Sequence, residues 1–259
     1  MTSALNSTSE GQTLILTISN PAFKNALSPE IYAAGIEALN AAETNPEIRS
    51  IIITGEGSTF CAGGNLQRLL ANRAQARGVQ AQSIDGLHSW IDSIHTYPKP
   101  VIAAVEGAAA GAGFSLALAC DFCVAADNAV FVMSYSTVGL SPDGGGSWAL
   151  ARALPRQLAN QLMMCGDRIS AQRLHDLGLV NQVCSSGSAL REALLLAARL
   201  NARPANALGS IKELVNGAAS SSLSQHLNDE RDHFVQNLHH ANGGEGIQAF
   251  LEKRPPNYR

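Results

Sequence analysis

The 259-residue sequence predicts an α/β core followed by an all-helical end. Through about residue 133, short β-branched apolar runs alternate with stretches of helical spacing, whereas from Trp148 onward the spacing is helical almost throughout. Three glycine-rich segments, residues 51–66 (IIITGEGSTFCAGGNL), 100–121 (PVIAAVEGAAAGAGFSLALACD) and 131–148 (FVMSYSTVGLSPDGGGSW), each begin from or include a strand-like run. Repeated strand, loop and helix junctions point to a site built on loops.

Taken in order, residues 12–18 (QTLILTI) read as a strand that Asn20-Pro21 breaks. Ser28 is placed to cap a helix whose first residue is Pro29, and Ile31, Ile36 and Leu39 supply its apolar stripe through about residue 43. Ile51 to Thr54 is a second strand. Residues 65–97 read as helical with an interruption near Gly78, and Pro98 ends them. Val101 to Val105 is a third strand, 112–120 a helix, and Phe122 to Ala126 and Val130 to Met133 are two short strands. Helices are expected near 145–154, 156–165, 170–177, 188–202, 205–217, 220–240 and 244–252. The expected division is a core over 1–190 and a helical oligomerisation region over 191–259. Leu223, Leu227, Phe234 and Leu238 give that region an apolar face that a thin helical tail covers poorly, which favours association with other copies.

Formal net charge is −3 and the 18 basic residues are scattered, so no basic stripe argues for nucleic acid. The lysines are Lys24, Lys99, Lys212 and Lys253, and one or two suffice for a phosphate. Five cysteines in apolar or small-residue contexts, with no signal-like N-terminus, read as reduced thiols of a cytoplasmic protein. Cys120 and Cys123 form a C-x-x-C without a second pair at metal spacing, so packing is expected there and no metal. No apolar run reaches the roughly 20 residues of a membrane span.

Asp143 stands between a proline-ended loop and three glycines, which displays its carboxylate as a base or nucleophile. Taken alone, the segment reads first as a turn with an Asp N-cap. Gly111 to Ala117 lacks the third glycine of a dinucleotide fingerprint, and Ser115 lies too far from its strand for a nucleophile elbow. The small residues instead leave the N–H groups around Ala112 and Gly113 free at a helix start, where they and the helix dipole favour negative charge. With a second N–H from Gly63-Gly64 nearby, they would form an oxyanion hole, each donor worth about 2.7–4 kcal/mol in a transition state.

The segments KNAL (24–27), FCAGGNL (60–66), AAVEGAAAGAGFSLALACD (103–121), VGLSPDGGGSWAL (138–150), GDRISAQRLHDLGLVNQV (166–183) and FLEKR (250–254) together resemble the enoyl-CoA hydratase/isomerase, or crotonase, superfamily, in order and spacing. The resemblance implies an α/β fold with a crotonase-like ββα spiral core, a C-terminal helical region that forms a homotrimer or dimer of trimers, and an acyl-CoA thioester as substrate. It implies no separate cofactor, since coenzyme A is part of the substrate. It places the oxyanion donors on Gly64 and Ala112, and lines the CoA moiety with Lys24, Ala26, Leu27, Ala62, Gly63 and Leu66. Phe250 and Lys253 are placed to reach the CoA of a neighbouring subunit, although Lys253 is equally a solvated surface lysine.

The departures narrow the chemistry. Two glutamates serve the family's hydratases, and the matching positions here are Ser115 and Tyr135. Neither is a carboxylate base. Asn65 replaces a frequent aspartate. Asp143 sits where isomerase and dehalogenase branches carry their working carboxylate, and GLSPDGGGSWAL is most similar to ring-epoxide phenylacetyl-CoA isomerases. The dehalogenase branch resembles this chain at Asp143, His88 and Tyr135, which implies attack by Asp143 with His88 assisting. His88 sits beside the apolar face of Leu87, Trp90, Ile91 and Ile94, where packing is the commoner role of a histidine. Trp90 is read as core or pocket wall, and the remaining histidines as structural. The expected activity is isomerisation of an unsaturated or ring-containing acyl-CoA with Asp143 shuttling the proton. Hydrolytic chemistry through an aspartyl ester and a non-catalytic CoA-binding role are the alternatives.

Overall fold

The computed structural model describes residues 3–258. Its main sheet has six strands in the order β1 (Ala4–Glu10), β2 (Thr13–Ser19), β3 (Ser50–Gly55), β4 (Val101–Val105), β6 (Phe122–Ala126) and β9 (Gln182–Cys184). β1 and β2 form an antiparallel hairpin, and the other neighbours run parallel. A second sheet joins β5 (Ala108–Ala110), β7 (Val130–Val132) and β8 (Arg168–Ser170).

Side chains alternate across a strand, and both faces of the main sheet are covered. Leu16, Ile18, Ile51, Ile53, Val101, Ala103 and Val105 point into the larger core, beneath α1 (Pro29–Glu43) and α3 (Arg77–Thr96). Ile15, Ile52, Ile102, Ala104 and Val124 point the other way, onto Ala189, Ala193 and Ala197 of α8 (Ala189–Asn201). This two-sided burial is why β3 and β4 read as unbroken apolar runs. The expected boundary at 190–191 therefore falls inside a helix that belongs to the core. The helices beyond it are α9 (Ala205–Ala218), α10 (Leu223–His239) and α11 (Ala241–Glu252), and they leave Leu223, Phe234 and Phe250 largely exposed.

α1 begins at Pro29 as read, with Ser28 extended at its N-cap, although the Ser28 hydroxyl meets that of Ser3 rather than capping the helix. The 65–97 stretch breaks at residues 73–76, between α2 (Leu66–Asn72) and α3, and Gly78 lies within α3. The first strand, β1, and the three-residue β5, β8 and β9 went unread. α9 is tied to the core by Lys212, whose ammonium donates to the Asp121 carboxylate at 2.8 Å and to the Ile94 carbonyl. Among the described residues no helix is long and apolar enough to cross a membrane.

Candidate active site

Two backbone segments meet at the site because their neighbours pair. Lys24 and Asn25 both take left-handed backbone, and the buried Asn25 amide donates to the carbonyls of Glu56 and Thr59. This sets residues 24–27 against 62–64, with the Ala62 N–H donating to the Lys24 carbonyl and the Leu27 N–H to the Gly63 carbonyl. One step earlier, Cys61 pairs with Ala108 and Ala110. The glycine pair is thereby held against the start of α4 (Ala112–Ala119).

The approach leaves no room for a side chain. A Cβ on Gly63 would sit 2.5 Å from the Ala110 carbonyl oxygen and 3.2 Å from the Ala112 nitrogen, and its φ of +84° disfavours other residues independently. Gly111, at φ +52°, caps α4. Among the described residues neither the Gly64 nor the Ala112 N–H donates to a protein acceptor, and both residues line a cavity of about 1090 Å³. Two free amides on adjoining segments of one cavity fit the stabilisation of a developing oxyanion.

Asp143 lies on the same wall, and among the described residues it is the only carboxylate there. It is not an N-cap. That position belongs to Gly145, ahead of α5 (Gly146–Ala153), so the capping explanation of the segment falls away. The buried Tyr135 hydroxyl donates to Asp143 Oδ1 at 2.6 Å, and the buried Ser115 hydroxyl donates to the Asp143 carbonyl at 3.0 Å. Burial pushes the Tyr135 phenol well above its ordinary range, and the adjacent Asp143 charge pushes it further. Tyr135 is thus a proton-bearing donor to the carboxylate. The following glycines make the fit possible: Gly144 and Gly145 are left-handed, and a Cβ on Gly146 would lie 2.6 Å from Ser115 Oγ.

The other expected site residues divide. Ala62, Leu66 and His88 line the cavity with Gly64, Ala112, Tyr135 and Asp143. Trp90 does not: it is fully buried, because Leu87, Trp90 and Ile94 turn toward α1, where the indole lies so close to Gly35 that a Cβ there would clash with it. Its place as pocket wall is corrected to core. Ser115 is likewise almost wholly buried behind Asp143 and holds the loop rather than facing the large cavity. Ala26, Leu27 and Gly63 are buried as well, and they shape the site through their backbone pairing, not by presenting side chains. Lys24, Phe250 and Lys253 are exposed and do not line the cavity of the single chain. Asn65 caps α2, accepting from the Arg68 N–H at 3.1 Å.

Apart from Leu66, sequence reasoning missed the residues at the cavity's mouth. Leu66 and Leu70 of α2 and Val138 and Leu140 of the facing loop are exposed apolar residues, and Arg73 and Arg77 bring positive charge. Exposed leucines on a short helix carry no sequence mark that separates them from core leucines. The C-x-x-C cysteines are part of the packing: burial pushes the Cys123 thiol up to about 12 and raises that of Cys120 well above its usual range.

Paired free amides and a carboxylate on one cavity are the arrangement that chemistry at a carbonyl through an enolate requires. The family model for enoyl-CoA hydratase/isomerase matches residues 8–259, and the chain belongs to that family. It is 36% identical over 246 residues to the 1,2-epoxyphenylacetyl-CoA isomerase of Escherichia coli (strain K12), covering 95% of this chain and 94% of the relative. It is 34% identical to the 2,3-dehydroadipyl-CoA hydratase of the same organism, with the same coverage. Among solved structures, an enoyl-CoA hydratase from Polaromonas sp. JS666 is 78% identical, covers 98% of this chain and 99% of its own, and superposes with a TM-score of 0.98.

Proposed function

We propose that this chain is an acyl-CoA isomerase in which Asp143 moves a proton along the acyl skeleton. One observation carries the reading: among the described residues, the cavity that holds the two free amides has a single carboxylate, where the family's hydratases use two. The thioester carbonyl accepts from the Gly64 and Ala112 N–H groups, which acidifies the neighbouring carbon. With Tyr135 on Oδ1, Asp143 Oδ2 is left to take a proton from that carbon or its vinylogue. The electron pair moves onto the carbonyl oxygen as an enolate. Return of the same proton to a different carbon completes an isomerisation with nothing gained or lost.

Hydration of a double bond needs a second group to position and activate water, and Ser115 and Tyr135 are engaged with Asp143 instead. The exposed leucines and Val138 at the mouth suit the pantetheine arm, and Lys24, with Lys253 and Phe250 from a neighbouring copy of a trimer, suits the nucleotide end. The likeness to an isomerase of a ring-bearing acyl-CoA agrees with this direction.

Asp143→Asn tests it. On a panel of enoyl-, dienoyl- and aryl-CoA thioesters, the variant is expected to bind as the native protein does while turnover falls by about 10² to 10⁴-fold. Unchanged turnover would end the proposal. His88 on the same cavity supports a second reading, hydrolysis through an aspartyl ester. Single turnover in ¹⁸O water separates the two, since only a nucleophilic Asp143 acquires the label.

A further inference from the structure

Behind Asp143 lies a second chamber of about 470 Å³, within the size range of small-molecule sites. It begins at Gly144 and Gly145, which follow Asp143 directly, and it shares His88 with the larger cavity. Ser115, whose hydroxyl holds the Asp143 carbonyl, borders it as well. A Cβ on Gly145 would meet the Ile91 side chain at 3.9 Å, so these residues face each other closely and a larger residue at 145 would narrow the space between them. The two spaces are neighbours across the loop that carries the working carboxylate.

Its walls are Ile91, Leu118, Ala119, Ala149 and the indole of Trp148, which is 48% exposed. An indole open to solvent is a large apolar surface in need of a cover. It is also fixed in place: the Arg152 guanidinium stacks 4.1 Å from its centroid and the His95 ring meets it edge-on at 5.5 Å. Charge disfavours two kinds of occupant. Among the described residues the chamber is lined by no lysine or arginine, by His88 and His95 and by one acid, Asp92, so an acyl group ending in a carboxylate finds no lysine or arginine on these walls to pair with. A cationic group would compete with Arg152, which already supplies the positive charge over Trp148.

Resting on the reading that Gly64, Ala112 and Asp143 hold the thioester end, we infer that this chamber receives the far end of the acyl group, and that the end it takes is an uncharged aromatic ring. Offset or edge-on packing against Trp148 rewards a flat ring over a flexible chain, and the alanines leave space for it. The specificity of the enzyme then resides in α3, α4 and α5, away from the reacting atoms.

Calorimetric titration with phenylacetyl-CoA, acetyl-CoA and adipyl-CoA tests this by binding alone. The native protein is expected to hold the phenylacetyl thioester at least about tenfold more tightly than either other ligand. Ala119→Phe and Ala149→Phe, which fill the chamber, are expected to abolish that advantage while acetyl-CoA binding stays within about twofold, and this also reports that the variants are folded. Equal binding of the three thioesters by the native protein overturns the inference, as does a preference for the adipyl thioester or an equal loss of all three ligands in both variants. These outcomes leave the role of Asp143 standing, because that is read from turnover. If no thioester binds at all, the inference and the acyl-CoA reading fall together.

Discussion

The two halves of the site are built by opposite means. In the proposed reaction the chemistry around Gly63, Gly64 and Ala112 is done by main chain, and at Gly63 the side chain matters by being absent. Around Asp143 it is done by side chains, with Tyr135 and Ser115 holding one carboxylate and its loop in place. The first half tolerates no added volume at Gly63, while the second is expected to tolerate no change of functional group at Asp143. Fixed dipoles suit the part of the reaction where charge builds up, since they need no reorganisation; a proton must be taken and returned by a titratable group.

The sharpest way to break this contrast is Gly63→Val. The new side chain meets the Ala110 carbonyl at a distance no Cβ tolerates and demands a backbone angle that a β-branched residue avoids. A stability loss of about 4 kcal/mol or more in urea denaturation is expected, without any catalytic group being touched. A native-like unfolding midpoint would show that the two segments are not locked together as described.

Ala112→Pro probes the same half more finely. Residue 112 is the first of α4, where proline is tolerated because its N–H has no helical partner to lose. The substitution removes one oxyanion donor and leaves the helix, so kcat is expected to fall by about 10² to 10³-fold with little change in thermal midpoint. An active Pro variant would assign the carbonyl to other donors.

That the backbone half could be read from the sequence, and parts of the side-chain half could not, has a physical reason. Glycines and alanines after a strand announce a close approach whatever the partner, so Gly64 and Ala112 were legible from local pattern with the resemblance, and Asp143 from its glycine setting. Trp90 stayed open between core and pocket wall because an apolar helical stripe does not say whether it faces a core or a cavity. It faces α1, and His88, off that stripe, takes the cavity. The strands left unread are those without alternation to read: β1 (ALNSTSE) is a largely exposed edge strand, β5 is three alanines, and β8 and β9 are three residues each. Their places are set by partners distant in sequence. The membership of α8 in the core was hidden for the same reason, since α8 looks like its helical successors until its alanines are seen on the sheet.

The smallest effect expected reads the side-chain half directly. An unfolded tyrosine ionises near pH 10, and in the fold burial, followed by the Asp143 charge, raises Tyr135 above that. A raised phenol stays protonated in the native state while the unfolded chain loses its proton. The fold therefore pays a penalty that is absent below about pH 10 and grows as pH rises past the unfolded value. Asp143→Asn removes the second cause and leaves the first. Tyrosinate absorbance should then appear at lower pH than in the native protein, yet still above that of a free tyrosine, and stability should fall less steeply on the alkaline side. If the titration of Tyr135 is the same in both proteins, its hydroxyl does not rest on that carboxylate, and the coupling that distinguishes this half of the site from the amide half is lost.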